Sequence, residues 1–315
     1  MGNINAIITG IGGYVPDYIL NNEELSRMVD TSDEWITARV GIKERRILTE
    51  EGLGTSYMAR KAAKQLIQKT GVDPDSIDAL IVTTTTPDYK FPSTASIVLG
   101  KLGLKNAFAF DFEAACCGFL YSLDVAASMI QSGRYKKIIV IGADKMSSLV
   151  DYTDRQTCVL FGDGAGAVLF TLDAEKSYTS VFGCHGDLEV INVPNDANEP
   201  GRVHMAGQAT YKFAVSTVPK LIKKVVLKAG IEFEDIDAYI CHQANARILD
   251  AVAKHLKQPR EKFFFDLDEY GNTSAASVAI ALSDAIDKGF VKPGQKILLC
   301  GFGAGKTWGA IIIDL

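Results

Sequence analysis

The stretch "GVDPDSIDALIV" (71–82) returns later in the chain as "GIEFEDIDAYIC" (230–241), 159 positions further on. The segments "KIIVIG" (137–142) and "KILLCG" (296–301) are separated by the same 159 positions. Two matches in one register indicate a duplicated structural unit, because chance similarity has no reason to repeat a spacing. The sequence therefore predicts two halves of common architecture.

Each half is predicted to alternate helices with strands. In the first half an amphipathic helix pattern over 55–70 ends at Gly71, and a short apolar strand follows over 79–83. A second helix is expected over 117–132, and the run over 138–142 is typical of a strand buried on both faces. Strands that alternate with helices predict parallel or mixed sheets covered by helices.

The boundary between the halves is expected at the polar stretch "TLDAEKSY" (171–178), which lies between two predicted strands. We therefore divide the chain into residues 1–172, with two adjacent cysteines, and residues 173–315, with a His/Asn pair. Two halves related by a pseudo-twofold axis would place equivalent loops against each other. The offset of 159 positions aligns Cys116 with Ala275, so these loops are expected to share one seam.

The composition limits the classes of function. The chain has 315 residues, 47% of them hydrophobic, and a formal net charge of −5, which argues against a nucleic-acid-binding protein. No apolar run approaches the ~18 residues of a membrane span, and the first residues lack the features of a secretory signal. The six cysteines are scattered, and no Cys-x-x-Cys or His-x-x-x-His spacing occurs. We expect a cytoplasmic protein with reduced thiols and no metal site.

The segment "EAACCGFLYSL" (113–123) places two cysteines side by side where a predicted strand gives way to a helix. Cys116 would lie near the first free N–H groups of that helix, whose dipole is expected to lower the thiol pKa and favour the nucleophilic thiolate. Cys117 would point elsewhere, because successive helical residues are about 100° apart. The alternative is that both cysteines pack in the core as small hydrophobic residues.

Two further polar residues are candidates for the same seam. His242 directly follows the predicted strand "AYIC" (238–241), and Asn272 lies in the turn "YGNTSAAS" (270–277). A histidine at the end of a strand, followed by polar residues, is well placed for chemistry, whereas Asn272 by itself says little. The alternatives are a hydrogen-bonded structural histidine and an asparagine that caps a turn.

The glycine-rich segment "GFGAGKTWG" (301–309) looks like a nucleotide-binding P-loop but does not fit that motif. Three residues, not four, separate Gly301 from Gly305, and a predicted strand follows where the motif needs a helix. Such a loop can still bring backbone N–H groups close to a substrate oxygen, as in an oxyanion hole.

Six motifs in this order resemble the β-ketoacyl-acyl carrier protein synthase III family, which initiates bacterial fatty-acid synthesis. They are "DTSDEWI" (30–36), "AACCGF" (114–119), "FGDGAGA" (161–167), "HQANARI" (242–248), "YGNTSAAS" (270–277) and "GFGAGKTWG" (301–309). The resemblance implies a thiolase-type duplicated αβαβα five-layered α/β fold with two mixed sheets. It also implies a homodimer that uses acyl-CoA, with acetyl-CoA as the expected primer, and acyl carrier protein, without a cofactor.

The resemblance further implies a mechanism in two stages. Cys116 would take the acyl group from the CoA thioester, and malonyl-acyl carrier protein would then lose CO2. His242 and Asn272 would hold the resulting enolate oxygen. The enolate carbon would attack the acyl-cysteine, and the backbone N–H groups of Cys116 and Ala304 would bind the new oxyanion.

The same resemblance suggests the binding residues. The residues expected to bind CoA are Thr31, Trp35, Arg39, Arg155 and Asn245. Phe91 is expected to limit the acyl pocket from across the dimer interface. The residues expected to dock the carrier protein are Lys212, Arg247 and Lys254. Trp35 also fits a plain packing role beside a capping box, and the basic segments also fit ordinary solvated helix faces.

The chain departs from the family at Ala304, where glycine is usual, and at Lys306, where an aromatic residue is common. Residues 183–206, which usually line the acyl channel, match weakly, so the primer length stays open. Other functions also stay open: a thiolase, a secondary-metabolite ketosynthase, a cysteine acyl hydrolase, and a catalytically silent paralogue that binds partners.

Overall fold

The computed structural model describes residues 6–173, 175–194 and 201–315. The first half contains β1 (Ala6–Tyr14), β2 (Tyr18–Asn21), α1 (Asn22–Leu25), α2 (Asp33–Val40), β3 (Glu44–Ile47), α3 (Thr55–Thr70), β4 (Ala79–Thr83), α4 (Thr94–Leu102), β5 (Phe108–Phe112), α5 (Gly118–Gln131), β6 (Lys137–Lys145) and β7 (Asp163–Leu172). The second half contains β8 (Tyr178–Asp187), β9 (Ile191–Asn192), β10 (His204–Met205), α6 (Gly207–Ala229), β11 (Ala238–Cys241), α7 (Ala246–Leu256), α8 (Leu267–Tyr270), α9 (Ser277–Asp287), β12 (Lys296–Gly303) and β13 (Gly305–Asp314). Within the described ranges, no helix is long and apolar enough to cross a bilayer.

Two mixed sheets form the frame of the molecule. The first has the order β1-β7-β6-β4-β5, in which β4 is parallel to β5 and β6 while β7 is antiparallel to its neighbours. The second has the order β11-β12-β13-β8, with β11 parallel to β12 and the other pairs antiparallel. The common order in the two sheets confirms the predicted duplicated α/β fold.

The offset of 159 positions carries over into the structure. Gly71 and Gly230 both end a helix in the left-handed conformation that glycine adopts without strain. β4 and β11 begin 159 positions apart, as do β6 and β12 and also α5 and α9. The paired elements build the centre of each half, where an insertion would disturb the packing.

The two sheets and the helices between and outside them form five layers. The central layer consists of α5 and α9, whose buried residues, such as Phe119 and Leu282, contact the inner faces of both sheets. α3 and α4 cover the outer face of the first sheet, and α6 and α7 cover that of the second. Because each central strand is buried on both faces, its sequence is a continuous apolar run rather than an alternating one.

A smaller cluster lies beside this frame and closes one side of the site described below. It joins α1, α2 and β3 to residues 146–161, which connect β6 to β7. In the second half β12 passes almost directly into β13, so this connection has no equivalent there.

Candidate active site

Cys116 lies in a tight turn at the start of the central helix α5. Ala115 adopts a left-handed backbone with φ 48°, and residues 115–117 form one 3₁₀ turn directly before Gly118. A Cβ at Gly303 would lie 3.0 Å from the Cβ of Cys116, so glycine lets the end of β12 pass beside the nucleophile candidate. The local sequence thus presents the Cys116 thiol at the end of both sheets.

Cys117 points away from this position. It is fully buried, and its Sγ lies within 4 Å of where a Cβ would stand on Gly301 and Gly309 of the second sheet. This side chain fills the core between α5 and the second sheet, which is the role of a small hydrophobic residue.

A cavity of about 1260 Å³ opens above the turn. Cys116, His242 and Asn272 all line it, together with Ser274, Phe302 and Ala304. The two halves therefore contribute to one pocket, as the equivalent loops of the repeat predicted. Among the described residues, no group of three or more His, Cys, Asp or Glu side chains is arranged to hold a metal ion.

Asn272 is held from both sides. Its backbone N–H donates to the carbonyl of Leu160 at 2.8 Å, and its carbonyl accepts from Gly162 at 3.1 Å. Its side-chain oxygen accepts the N–H of Ser274 at 2.9 Å. This bond fixes the orientation of the side-chain amide, and Asn272 lines the cavity. The turn-capping interpretation is therefore compatible with a role in binding.

His242 is 2% exposed and is anchored by its backbone N–H, which donates to the Cys300 carbonyl at 2.7 Å. Its ring meets that of Phe302 edge to face, with 5.3 Å between centroids. Burial lowers its pKa from 6.5 to about 4, because the cavity offers little solvation for a positive ring. The imidazole is therefore neutral at physiological pH, and its buried Nδ1 has no hydrogen-bond partner within the described part of the chain.

The pKa of Cys116 differs from the sequence-based expectation. Burial raises it from 9.0 to about 12, and the nearby carboxylates of Asp144 and Glu113 act in the same direction. A hydrogen bond with Ser274 opposes the rise without reversing it. The expectation of a lowered pKa was wrong, because loss of solvent outweighs the stabilisation expected from the start of a helix. The resting cysteine is a thiol that must lose its proton when it reacts.

Ser274 and Asp144 are polar residues of the site that the sequence did not reveal. The Cys116 thiol donates to the Ser274 hydroxyl at 3.6 Å, and Ser274 has φ 53°. The buried carboxylate of Asp144 accepts the N–H groups of Thr85 at 2.7 Å and Ala275 at 2.9 Å. The hydroxyls of Thr84, Thr85 and Thr86 also donate to it. The repeat offset contained one indication of Ser274, because it aligns this residue with Ala115, the neighbour of Cys116.

The residues expected to bind CoA fall into two groups. Trp35, Arg39 and Asn245 line the cavity, whereas Thr31 and Arg155 do not. The guanidinium groups of Arg39 and Arg155 lie 5.4 and 5.1 Å from the Trp35 ring centroid. Arg155 donates to the Asp30 carbonyl at 3.0 Å. A ring that entered between Trp35 and Arg155 would have to displace this guanidinium.

The remaining predicted residues lie near the cavity mouth or away from it. Lys212 and Arg247 line the cavity, and Arg247 packs over Tyr211 with 5.5 Å to the ring centroid. Lys254 lies in the last turn of α7 and does not line the cavity. Phe91 is 85% exposed and contributes nothing to the cavity of its own chain. The segment 301–309 runs into β13, so it forms no phosphate-binding loop.

A five-layered duplication with a cysteine turn between its two sheets is the architecture of the thiolase-type condensing enzymes. Comparisons with known proteins then identify the family. Residues 110–186 match the model for 3-oxoacyl-[acyl-carrier-protein] synthase III, and residues 226–315 match that for its C-terminal part.

Relatives match over nearly the whole chain. A β-ketoacyl-[acyl-carrier-protein] synthase III 2 of Bacteroides thetaiotaomicron is 52% identical, over 99% of this chain and 97% of its own. The crystal structure of the Aquifex aeolicus synthase III, 46% identical, superposes with a TM-score of 0.94 over 98% of this chain and all of that one. The priming β-ketosynthase of the R1128 polyketide pathway is 31% identical, with a TM-score of 0.95 over 99% of this chain and 97% of that one.

The chain belongs to the β-ketoacyl-[acyl-carrier-protein] synthase III family. It is an acyltransferase that carries out the condensing step at the start of fatty-acid synthesis.

Proposed function

We propose that the enzyme joins an acetyl group from acetyl-CoA to malonyl-acyl carrier protein, giving 3-oxoacyl-acyl carrier protein, CoA and CO2. The observation that carries this proposal is the common cavity lined by Cys116, His242 and Asn272. One thiol and two nitrogen donors suit a reaction that first holds an acyl group and then stabilises an enolate.

In the first stage the Cys116 sulfur attacks the thioester carbonyl and the CoA thiolate leaves. Because burial raises the pKa of Cys116, its proton must be removed as the new bond forms. The departing CoA thiolate takes this proton, so the neutral ring of His242 keeps the Nε2–H that the second stage uses. The N–H groups of Cys116 and Ala304 bind the oxyanion of the tetrahedral intermediate.

In the second stage malonyl-acyl carrier protein loses CO2 and leaves an enolate. The Nε2–H of His242 and the amide NH2 of Asn272 donate hydrogen bonds to its oxygen, each contributing about 3 kcal/mol to the stabilisation of the developing charge. The enolate carbon then attacks the acetyl carbonyl on Cys116, and the cysteine sulfur leaves as a thiolate that takes a proton from water to restore the resting thiol. A neutral, buried histidine suits this step because it donates without carrying a charge of its own.

We propose that CoA binds along Thr31, Trp35, Arg39, Arg155 and Asn245, with its adenine between Trp35 and Arg155. The support is the guanidinium of Arg155, already stacked 5.1 Å from the indole centroid. An aromatic ring can replace this contact by inserting between the two groups, since both prefer a flat partner.

Acyl carrier protein docks, in this proposal, at the basic edge of the cavity formed by Lys212 and Arg247, with Lys254 further along α7. Asn245 caps α7 by accepting the N–H of Arg247 at 2.9 Å, so this helix begins at the cavity. Local positive charge on a protein of net charge −5 favours the approach of an acidic partner.

We also propose that the enzyme is a homodimer in which Phe91 of one protomer limits the acyl pocket of the other. β5 is an edge strand of the first sheet, and Phe108 on it is 43% exposed. Phe91 is 85% exposed, and Tyr89 near it is 62% exposed. An unpaired edge strand and exposed aromatic residues are both features of a surface suited to a second copy. We place the enzyme in the cytoplasm, without a cofactor, and divide it into residues 1–172 and 173–315.

Radiolabelled malonyl-acyl carrier protein tests the proposed reaction. With acetyl-CoA present, the synthase releases labelled CO2 and forms a ketoacyl product, whereas a thiolase would leave the malonyl group intact. A cysteine hydrolase would release acetate without a ketoacyl product. The likeness to a polyketide priming ketosynthase makes that enzyme class the second candidate, and comparison of primer acyl-CoAs of different length and branching separates the two.

A further inference from the structure

The segment that follows β8 contributes apolar side chains to the wall of the cavity. Ile191 and Val193 line the cavity there, alongside Val203 and Met205. We call residues 188–194 the roof segment. Two residues anchor the start of this segment. Asp187, the last residue of β8, precedes it, and the carbonyl of Val190 accepts the N–H of Ala206 at 2.8 Å.

Asp187 organises the start of the roof segment. One oxygen of its carboxylate accepts the N–H groups of Glu189 at 3.1 Å and Val190 at 2.8 Å. The other accepts the Lys306 ammonium at 2.6 Å. The carboxylate thus links the roof segment to β13, and its side chain is 18% exposed.

Lys306 stands in an unusual backbone position. The pairing of β8 with β13 is in register at Gly305 and Asp187 and then shifts before Thr307, so Lys306 lies opposite the two β8 residues His185 and Gly186, at a bulge whose extra residue belongs to β8. The φ of Lys306 is 47°, a left-handed value that costs a residue with a side chain roughly 1 kcal/mol or more. Bulges disturb the pairing locally, and at this one the Lys306 ammonium contacts Asp187.

We propose that the ion pair of Lys306 with Asp187 is a positioning clamp that holds the roof segment against the cavity and so restricts the length of the acyl group that Cys116 accepts. The pair connects two strand ends that are 119 positions apart. Ala304, the proposed oxyanion donor, lies two residues before Lys306. The clamp therefore sets the distance between the roof segment and the loop that binds the reacting carbonyl.

The two strands offer a matched control pair. Lys296 and Asp314 form an ion pair between the first residue of β12 and the last of β13, at the opposite end of the same hairpin. Its side chains are 24% and 18% exposed, against 29% and 18% for Lys306 and Asp187. K296M therefore removes the same charge from an ion pair of similar exposure that does not contact the roof segment.

Hydrogen exchange read by mass spectrometry tests the clamp directly. In K306M the amides of Glu189 and Val190 should exchange faster than in the wild type, because Asp187 loses the contact that holds it. K306R should restore their protection, and K296M should leave this peptide unchanged. Unchanged exchange in K306M, or an equal increase in K296M, would overturn the proposal.

The consequence for specificity rests on the proposed acyl transfer and is measured separately. In K306M the kcat/KM for hexanoyl-CoA relative to acetyl-CoA should rise about fivefold, the change that corresponds to one partly exposed ion pair. A ratio equal to that of the wild type, with exchange accelerated, would refute the specificity role. If no variant transferred any acyl group, the proposed function would fail, and the exchange rates alone would decide the clamp.

Discussion

The thiol of Cys116 donates a hydrogen bond to the hydroxyl of Ser274, with 3.6 Å between Sγ and Oγ. The two residues belong to equivalent turns of the two halves. Ala115 and Ser274, 159 positions apart, both adopt left-handed backbones, with φ 48° and 53°. The site is thus built where the duplicated turns face each other, and one turn carries the nucleophile candidate while the other carries a hydroxyl.

S274A should slow the alkylation of Cys116 by iodoacetamide about tenfold at pH 8, because the thiolate loses one charge-assisted hydrogen bond. Peptide mapping after timed exposure measures this rate. S122A is the control, since Ser122 is a buried serine of α5 whose hydroxyl donates to Gly118 and Phe119. Equal rates in S274A and the wild type would show that Ser274 does not stabilise the thiolate.

The pH dependence of the same alkylation tests the raised pKa of Cys116. With a pKa of about 12, the thiolate fraction of the free enzyme grows about tenfold per pH unit from pH 6 to 9. The alkylation rate should follow it without levelling off. A plateau near pH 7 would mean that the helix start lowers the pKa after all, as the sequence alone suggested.

The lowered pKa of His242 predicts a pH-dependent stability. The unfolded chain protonates this histidine near pH 6.5, but the folded chain does so only near pH 4, so the folded state loses stability as the pH falls between these values. At pH 5 the loss is about 2 kcal/mol relative to pH 7. Urea unfolding of the wild type and H242Q at both pH values measures it. H242Q should show a smaller loss by that amount, and equal losses would contradict the assigned shift.

Asp144 is expected to position the site through the second turn. D144N exchanges a carboxylate that accepts from Thr85 and Ala275 for an amide that can accept on one side alone. We expect kcat for malonyl decarboxylation to fall about tenfold with little change in KM, because Ser274 and Asn272 lose their support while the cavity mouth is intact.

D163N separates positioning from general stability. Asp163 is also a fully buried carboxylate, and it accepts the N–H groups of Leu48 and Ser147. D163N should lower the melting temperature without a comparable fall in kcat. If both variants lost kcat in proportion to stability, Asp144 would have no special role in positioning.

Much of the fold could be predicted because the repeat lies in its most constrained parts. The strands β4, β6, β11 and β12 are buried on both faces, so each must be apolar and an insertion would displace the layers around it. The predicted helix at 55–70 matches α3. The structure of the connection over 146–161 could not be predicted from the repeat, because the second half has no equivalent connection and therefore no matching sequence.

That Cys116, His242 and Asn272 line one cavity agrees with the sequence-based expectation, but the electrostatics of the candidate site could not be predicted. Cys116, His242 and Asn272 stand at strand and helix ends that the sequence marks. The pKa of Cys116 was misjudged because a local argument about the helix start omits the solvent that folding removes. The contacts of Asp144 with Ala275 and of Lys306 with Asp187 join residues 131 and 119 positions apart, which no local pattern indicates.

Mass spectrometry after brief incubation with acetyl-CoA, followed by peptide mapping, tests the central claim most directly. The account predicts one acetyl group on Cys116 and none on C116S, with Cys117 unmodified because it faces the core. Acetylation of Cys117, or an unchanged intact mass of the wild type, would contradict it.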